Sequence, residues 1–207
     1  MSHTDIRNEM VALGTSLFER GFSVGSAGNI SVRVDDGYLM TPTNSSLGRL
    51  AADRISLLDK NWKPIDGDPP SKEVVMHRAM YEARPDARAV VHLHSTYVTA
   101  LSCLVQPDQP LIRPHTPYLV MRLGTNIPKV PYYRPGDPGM EQDILVAARD
   151  AHAIILSNHG SLVAAGSLVD AINAAEELEA SAQLAVLLEG RETRPLTGAE
   201  IADLVRR

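Results

Sequence analysis

The chain is organised around the stretch Ala89-Val90-Val91-His92-Leu93-His94. Its two valines predict a buried strand, at whose carboxyl end His92 and His94 stand two residues apart. Side chains at positions i and i+2 of a strand point to the same face, so both imidazoles are expected to face one point above the sheet. Because neutral imidazole is a favoured ligand of zinc-type metals, the pair predicts part of a metal site. A lone His-x-His also arises by chance, so other stretches of the sequence must show whether this pair belongs to a metal site.

A third histidine strengthens this interpretation. His159 stands in Ser157-Asn158-His159-Gly160, at the junction of a strand and a loop, where glycine lets backbones approach closely. Together with His92 and His94 it makes a three-histidine set, which leaves a fourth position open, as in catalytic rather than structural zinc sites. The alternative is that His159 only caps a loop.

A carboxylate precedes the central strand. Glu73 ends the stretch Pro70-Ser71-Lys72-Glu73 and opens a helix predicted over residues 72–83, with Ser71 as its N-cap. Glu73 is either a first-turn carboxylate stabilised by the helix dipole, or a general acid/base that also serves as a fourth ligand without substrate. His77, four residues further along the same helix, could pair with Glu73 in a rival site. A histidine packed behind the site is the favoured interpretation.

Three short polar sets predict a pocket for an anion: Gly28-Asn29, Thr43-Asn44 and Ser71-Lys72. Hydroxyl groups, a lysine and the N–H groups of a helix N-terminus are what a phosphate or carboxylate needs. Each set alone is more typical of turns. Combined with a metal site, they predict an anionic substrate that also chelates the metal.

Composition limits the class of protein. The 207 residues, of which 44% are hydrophobic and 22% charged, predict a single domain over residues 1–207. A net charge of -5 argues against a general nucleic-acid binder, and no apolar run is long enough to span a membrane. The single cysteine, Cys103, excludes an intrachain disulfide and is expected to be buried. Without a signal-peptide pattern at the N-terminus, a cytoplasmic location is expected.

The remaining elements predict an α/β protein. A first helix is expected to be capped by Thr4 and stopped at Gly21, and Asp35-Asp36-Gly37 predicts a hairpin turn between two early strands. Residues 106–115 are rich in proline and are expected to be irregular. No Gly-x-Gly-x-x-Gly follows a strand, which argues against a dinucleotide-binding fold.

Taken together, these residues resemble the class II aldolase and adducin-like family, which includes fuculose-phosphate aldolase and ribulose-phosphate epimerase. The matching stretches run in the family's order over nearly the whole chain: 26–31, 41–43, 70–73, 90–94 and 158–160. The resemblance implies a class II aldolase-like three-layer fold, whose central mixed, mostly antiparallel sheet is flanked by helices on both sides. It further implies a homotetramer with active sites between subunits.

The resemblance also assigns roles to the candidate residues. It implies Zn²⁺, or another divalent metal such as Mn²⁺ or Co²⁺, on His92, His94 and His159, with Glu73 as the acid/base. The implied phosphate-binding residues are Asn29, Thr43, Asn44, Ser71 and Lys72. Lys72 stands where the aldolases have the second of the two serines that bind phosphate. A catalytic tyrosine is also implied; the longer segment 110–124 prevents simple alignment, and Tyr118, in a proline-flanked loop, is chosen over His115.

Within the family, the chain is most similar to the decarboxylases of 3-oxo-tetronate 4-phosphate, through stretches such as Thr116-Pro117-Tyr118 and residues 131–137. This resemblance implies loss of carbon dioxide to give dihydroxyacetone phosphate through a metal-stabilised enediolate. A sugar-phosphate aldolase would pass through the same enediolate and remains the main alternative. A methylthioribulose-phosphate dehydratase and a non-catalytic adducin-like module are the lesser alternatives.

Overall fold

A sheet of eight strands forms the centre of the computed structural model, which describes residues 2–105 and 110–206. The strands are β1 (Asn29–Val34), β2 (Gly37–Met40), β3 (Ser56–Asp59), β4 (Pro64–Asp66), β5 (Ala89–Leu93), β6 (Lys129–Val130), β7 (Ala153–Leu156) and β8 (Gly160–Ala165). Their spatial order is β4-β3-β2-β1-β5-β8-β7-β6, and every neighbouring pair is antiparallel except the parallel pair of β6 and β7. The mixed, mostly antiparallel sheet predicted from the sequence is therefore confirmed.

Helices cover both faces of this sheet. They are α1 (His3–Glu19), α2 (Val74–Ala83), α3 (Thr96–Ser102), α4 (Pro117–Leu123), α5 (Met140–Ala148), α6 (Leu168–Leu187) and α7 (Gly198–Val205). One hydrophobic cluster joins the sheet to α1, α3, α4 and α6, and a second joins the opposite face to α2 and α5. The three-layer arrangement is confirmed, with one apolar core on each side of the sheet.

The central strand β5 shows how the sequence creates these two cores. Val91 and Leu93 belong to the cluster under α6, whereas Val90 belongs to the cluster under α2 and α5. Because side chains alternate along a strand, His92 shares the face of Val90 and points toward the α2 side. The histidine pair thus lies on the face that carries the start of α2.

The first helix and the hairpin follow the expectation closely, with one correction. The helix is capped by Ser2 rather than Thr4, because Ser2 and Asp5 form a reciprocal capping box. Gly21 follows the helix end with a φ of 80°, as expected for its stop signal. Val34 pairs with Gly37 across a two-residue turn, as the hairpin motif predicted.

Two helix starts differ from the expectation. Helix α2 begins at Val74 rather than at residue 72, because the Ser71 hydroxyl and carbonyl accept the Glu73 and Val74 N–H groups in a preceding turn. Tyr118 lies in a helix rather than a loop. Thr116 caps α4 by accepting the Leu119 N–H, with proline at the first helical turn.

The expected burial of Cys103 is wrong, since this side chain is exposed just beyond α3. Residues 110–115 are irregular as expected, and residues 106–109 lie outside the described residues. Over the ranges 2–105 and 110–206, no helix combines the length and apolar character that crossing a bilayer requires.

Candidate metal and acid/base site

Three imidazoles and one carboxylate converge at the end of β5 and the start of β8. The Nε2 atoms of His92 and His94 lie 2.8 Å apart. Glu73 reaches them from the start of α2, with Oε2 3.4 Å from His92 Nε2 and Oε1 3.2 Å from His159 Nε2. One ligand atom from each of the four residues fits within 4.8 Å of all the others. Four candidate ligands separated in sequence are thus brought to one point.

The tautomer of His92 is fixed by the neighbouring strand. Its Nδ1 lies 2.7 Å from the Ser161 carbonyl oxygen, which can only accept, so Nδ1 carries the proton. The neutral ring then keeps a lone pair on Nε2, facing the cluster. Burial is the main reason that the pKa of His92 is lowered to about 3, which keeps the ring neutral. Metal-binding histidines are commonly oriented by such a bond from their other nitrogen.

His159 is held by the turn that leads into β8. Asn158 has a φ of 54°, and its N–H donates to the Ser102 carbonyl, while the His159 N–H donates to the Ser102 hydroxyl. At Gly160, a β-carbon would stand 2.2 Å from the Leu93 carbonyl oxygen. The close backbone approach predicted for this glycine is therefore confirmed on steric grounds.

His94 is followed directly by α3, whose start is fixed from a distant helix. The Glu179 carboxylate of α6 accepts the Ser95 hydroxyl at 2.7 Å and the N–H groups of Tyr97 and Val98 at 2.8 and 2.9 Å. Ser95 makes no side-chain cap of its own. The end of α3 holds the His159 turn through Ser102, so this short helix links the two histidine segments.

Glu73 occupies the N-cap position of α2, yet its side chain makes no capping hydrogen bond. Its Oε2 instead accepts the Asn29 side-chain amide at 2.7 Å. Burial alone would raise the pKa of Glu73, but the neighbouring rings, His159 first, and the Asn29 amide lower it to about 2. The geometry thus decides against helix capping as the role of this carboxylate and directs it at the cluster.

The donor set fits a divalent metal. Four tetrahedral ligands at zinc distances of about 2.0–2.1 Å stand roughly 3.3 Å from one another, and the cluster's separations of 2.8, 3.2 and 3.4 Å lie around that value. His159 Nε2 is buried, and despite its nearness to Glu73 it has no well-aligned hydrogen-bond partner among the described residues. A bound metal would provide the missing partner for this buried nitrogen, which faces two other imidazoles.

His77 lies behind the cluster rather than in it. The ring is fully buried, and its two nitrogens contact the Ser31 hydroxyl at 2.7 Å and Asn29 Oδ1 at 2.5 Å. Both ring nitrogens are thus occupied, and among the described residues the group of four that could hold a metal includes Glu73 but not His77, which argues against the rival pairing of His77 with Glu73. The supporting position predicted for His77 agrees with this placement.

The five predicted phosphate-binding residues line a cavity of about 220 Å³ beside the cluster: Asn29, Thr43, Asn44, Ser71 and Lys72. Two loops meet there, because the Thr43 N–H donates to the Pro69 carbonyl and the Ser71 N–H to the Thr41 carbonyl. Glu73, His94 and His159 line the same cavity. Since α2 begins only at Val74, the anion would rely on Lys72 and polar side chains more than on a helix N-terminus.

The candidates for the second acid/base do not line this cavity. Tyr118 is 60% exposed on α4 and is not among the residues that line the cavity beside the cluster. His115 bonds through Nε2 to the Thr193 hydroxyl at 3.2 Å and lines a different cavity. To serve this site, Tyr118 would therefore have to arrive from another copy of the chain.

Several supporting residues were not assigned roles from the sequence. Ser31 lies in a matching stretch, but nothing local indicates that it bonds His77. Ser161 and Ser102 act through a backbone carbonyl and a hydroxyl at positions set by strand and helix packing. Glu179 carries no sequence signal, since it reaches α3 from more than eighty residues away.

Comparisons with known proteins give a consistent result. The model of the Class II Aldolase and Adducin N-terminal domain matches residues 8–186. A 3-oxo-tetronate 4-phosphate decarboxylase from Haemophilus influenzae is 50% identical over 200 residues, covering 96% of this chain and 95% of that protein. An L-fuculose phosphate aldolase from Escherichia coli K12 is 34% identical, covering 89% and 84% of the two chains. A crystal structure from Klebsiella pneumoniae, of a protein described as an aldolase, epimerase or decarboxylase, shares 48% identity with a TM-score of 0.94, covering 99% of each chain.

Proposed function

Because the chain belongs to the class II aldolase and adducin family, we propose that it decarboxylates 3-oxo-tetronate 4-phosphate to dihydroxyacetone phosphate and carbon dioxide. It is a carbon–carbon lyase, a class that includes both the decarboxylase and the aldolase among its relatives. The observation that carries the proposal is the cavity in which Lys72 and polar side chains adjoin the histidine and glutamate cluster. The 50% identity to a decarboxylase favours this reaction over aldol cleavage.

The substrate would lie across the two halves of this cavity. Its phosphate would face Lys72, Ser71, Thr43, Asn44 and Asn29, which offer a cation, hydroxyls and amides. Its hydroxyl and ketone oxygens would face the cluster. We propose that His92, His94 and His159 hold Zn²⁺, with Mn²⁺ and Co²⁺ as alternatives, and that Glu73 completes the set without substrate. The metal supplies Lewis-acid stabilisation of negative oxygen.

The reaction needs one proton. Cleavage of the bond to the carboxylate carbon releases carbon dioxide and leaves its electron pair conjugated with the ketone, as an enediolate. A proton added to the former carboxylate-bearing carbon then gives dihydroxyacetone phosphate. Because its pKa is lowered to about 2, Glu73 is ionised in the free protein and must first take up a proton from water. Held at the cluster and aimed into the cavity, it is then the residue proposed to deliver that proton, with Tyr118 of a neighbouring copy as the second acid/base. This role for Tyr118 requires an oligomer, which we propose to be a homotetramer.

An activity comparison tests the proposal. Zinc-loaded protein is incubated with 3-oxo-tetronate 4-phosphate, its unphosphorylated acid and fuculose 1-phosphate, and carbon dioxide and dihydroxyacetone phosphate are measured against an enzyme-free control. We expect carbon dioxide release chiefly from the phosphorylated acid, loss of activity with a chelator, and a fall of about a hundredfold or more in Glu73→Gln. A higher kcat/KM for fuculose 1-phosphate would make the chain an aldolase. Absence of stoichiometric metal and of any turnover would favour an adducin-like module.

A further inference from the structure

A buried histidine supports the proposed acid/base without contacting the cluster. His77 lies on α2, one turn after Glu73, and all of its ring is excluded from solvent. Both ring nitrogens are engaged, by Ser31 on one side and by Asn29 on the other. Asn29 is only 4% exposed and donates to Glu73. A continuous path of hydrogen bonds therefore runs from β1 through α2 to the carboxylate.

The donor and the acceptor of every hydrogen bond in this path can be assigned by starting at the Glu73 carboxylate. The Glu73 carboxylate can only accept, so the Asn29 nitrogen faces it and the Asn29 oxygen faces His77. That oxygen can only accept as well, so the proton of His77 lies on Nε2. Nδ1 of the neutral ring is then an acceptor, and the Ser31 hydroxyl donates to it.

The strand register explains why these groups meet. Asn29 stands opposite His92 in the pairing of β1 with β5, and Ser31 stands opposite Val90 two residues along. All four side chains therefore share the face covered by α2. Tyr81, one turn after His77, lies beyond this path: its hydroxyl donates to the Ser31 backbone carbonyl at 3.0 Å and stands 3.2 Å from the Ser31 hydroxyl.

We propose that His77, with Ser31 behind it, is a positioning residue that fixes the Asn29 amide so that its nitrogen faces Glu73 and the substrate cavity. Without the bond from His77, the Asn29 amide is free to rotate by 180°, which would set its carbonyl oxygen against the Glu73 carboxylate. With that bond, one amide hydrogen holds Glu73 Oε2 and the second remains for the anion in the cavity. The inference rests on the proposed role of Glu73 as acid/base.

The protonation state of His77 agrees with this arrangement. Burial lowers the pKa of His77 to about 4, against a smaller opposing influence of Glu73. The ring is therefore neutral at neutral pH, as an acceptor at Nδ1 and a donor at Nε2 require.

Kinetics of matched variants test the inference. His77→Gln keeps a terminal N–H toward Asn29, whereas His77→Leu removes it, and Tyr81→Phe removes a buried hydroxyl from the same layer. In zinc-loaded protein we expect His77→Leu to lower kcat about 10- to 100-fold, the usual effect of losing a partner behind a metal site. KM should change little. His77→Gln and Tyr81→Phe should stay within a few-fold of the unaltered protein.

A second measurement does not depend on turnover. The side-chain amide hydrogens of Asn29 are followed by NMR hydrogen exchange in the full chain without metal. Exchange should be slow in the unaltered protein and in Tyr81→Phe, and faster in His77→Leu. If His77→Leu fails to fold, Ser31→Ala replaces it, because removing this hydroxyl frees the far nitrogen of His77 and should also speed the exchange.

Two results separate the inference from the proposed function. If Glu73→Gln loses turnover while His77→Leu keeps both normal kcat and slow Asn29 exchange, the positioning role of His77 is wrong. If Glu73→Gln turns over normally, the acid/base assignment is wrong, and the exchange experiment alone decides whether His77 fixes the Asn29 amide. Equal losses in His77→Gln and His77→Leu would also overturn the inference, because they would show that the ring's shape rather than its N–H matters.

Discussion

Replacement of Gly160 by alanine gives the sharpest test of how the fold holds the proposed metal ligands. Gly160 follows His159 and starts β8, where a new β-carbon would stand 2.2 Å from the Leu93 carbonyl oxygen and 3.3 Å from His94 Cα. Real β-carbons essentially never approach closer than 3.0 Å, so the two strands must separate by at least about 0.8 Å. This displacement would move the strand end that carries His94 relative to His159.

Metal ligation tolerates far less movement than this. Ligand distances in a working site stay within about 0.2 Å of their preferred values. We therefore expect Gly160→Ala to bind zinc at least tenfold more weakly, a change measurable by competition with a chelator and by metal analysis of the purified protein. Overpacking typically costs about 1–3 kcal/mol, and each kcal/mol lowers Tm by roughly 2–4 °C in a chain of this size, so a drop of about 2–12 °C is expected.

A matched control lies at the other end of the same strand. A β-carbon added at Gly166, just after β8, meets no atom within 4 Å, so Gly166→Ala should keep both its zinc affinity and its Tm. Normal zinc binding and an unchanged Tm in Gly160→Ala would refute the reasoning, because the two strand ends would then be free to separate without disturbing the ligands.

Three further predictions address the other parts of the site. Lys72→Ala should chiefly raise KM for the phosphorylated acid, and equal turnover of the unphosphorylated acid would contradict a phosphate contact. Tyr118→Phe and His94→Ala should each be nearly inactive, yet regain activity when their subunits are mixed; proven mixing without regain would argue against a shared site. The pKa of His77 lies near 4 in the folded chain and near 6.5 in the unfolded one, so the unfolded chain binds more protons between these values and stability falls as the pH drops through them. Urea denaturation of the metal-free protein at pH 7 and pH 5 should therefore show a smaller loss of stability in His77→Gln than in the unaltered chain, and equal losses would contradict a neutral buried ring.

The parts of the site that sequence could predict depend on short-range rules. Because side chains alternate along a strand, His92 and His94 lie on the same face regardless of how the rest of the chain folds. Gly160 beside His159 signals a close backbone approach within a few residues of the ligand it serves. The three-layer fold was predicted from the resemblance of several sequence stretches to a known family. That resemblance combines many short-range patterns of this kind.

The parts that sequence did not predict depend on contacts between distant elements. The path from Ser31 through His77 requires the register of β1 with β5 and the docking of α2, neither of which a local pattern fixes. The sequence predicts a loop at Tyr118 rather than helix α4, because Thr116 and Pro117 are typical of turns as well as of helix starts. The choice between a turn and a helix start depends on the apolar residues that follow, Leu119 and Val120, which are buried against the core.

The carboxylate of Glu179 has a consequence for the order in which the protein folds. Helix α3 has seven residues and no cap from its own sequence, so in isolation it would be unstable. Its first turn is completed by a group on α6, which a ribosome makes more than eighty residues later. Helix α3, which links the His94 and His159 segments, is therefore expected to become ordered only after the last long helix has docked. A nascent chain would emerge with these histidines unarranged, so the proposed metal would be bound at the end of folding rather than during synthesis.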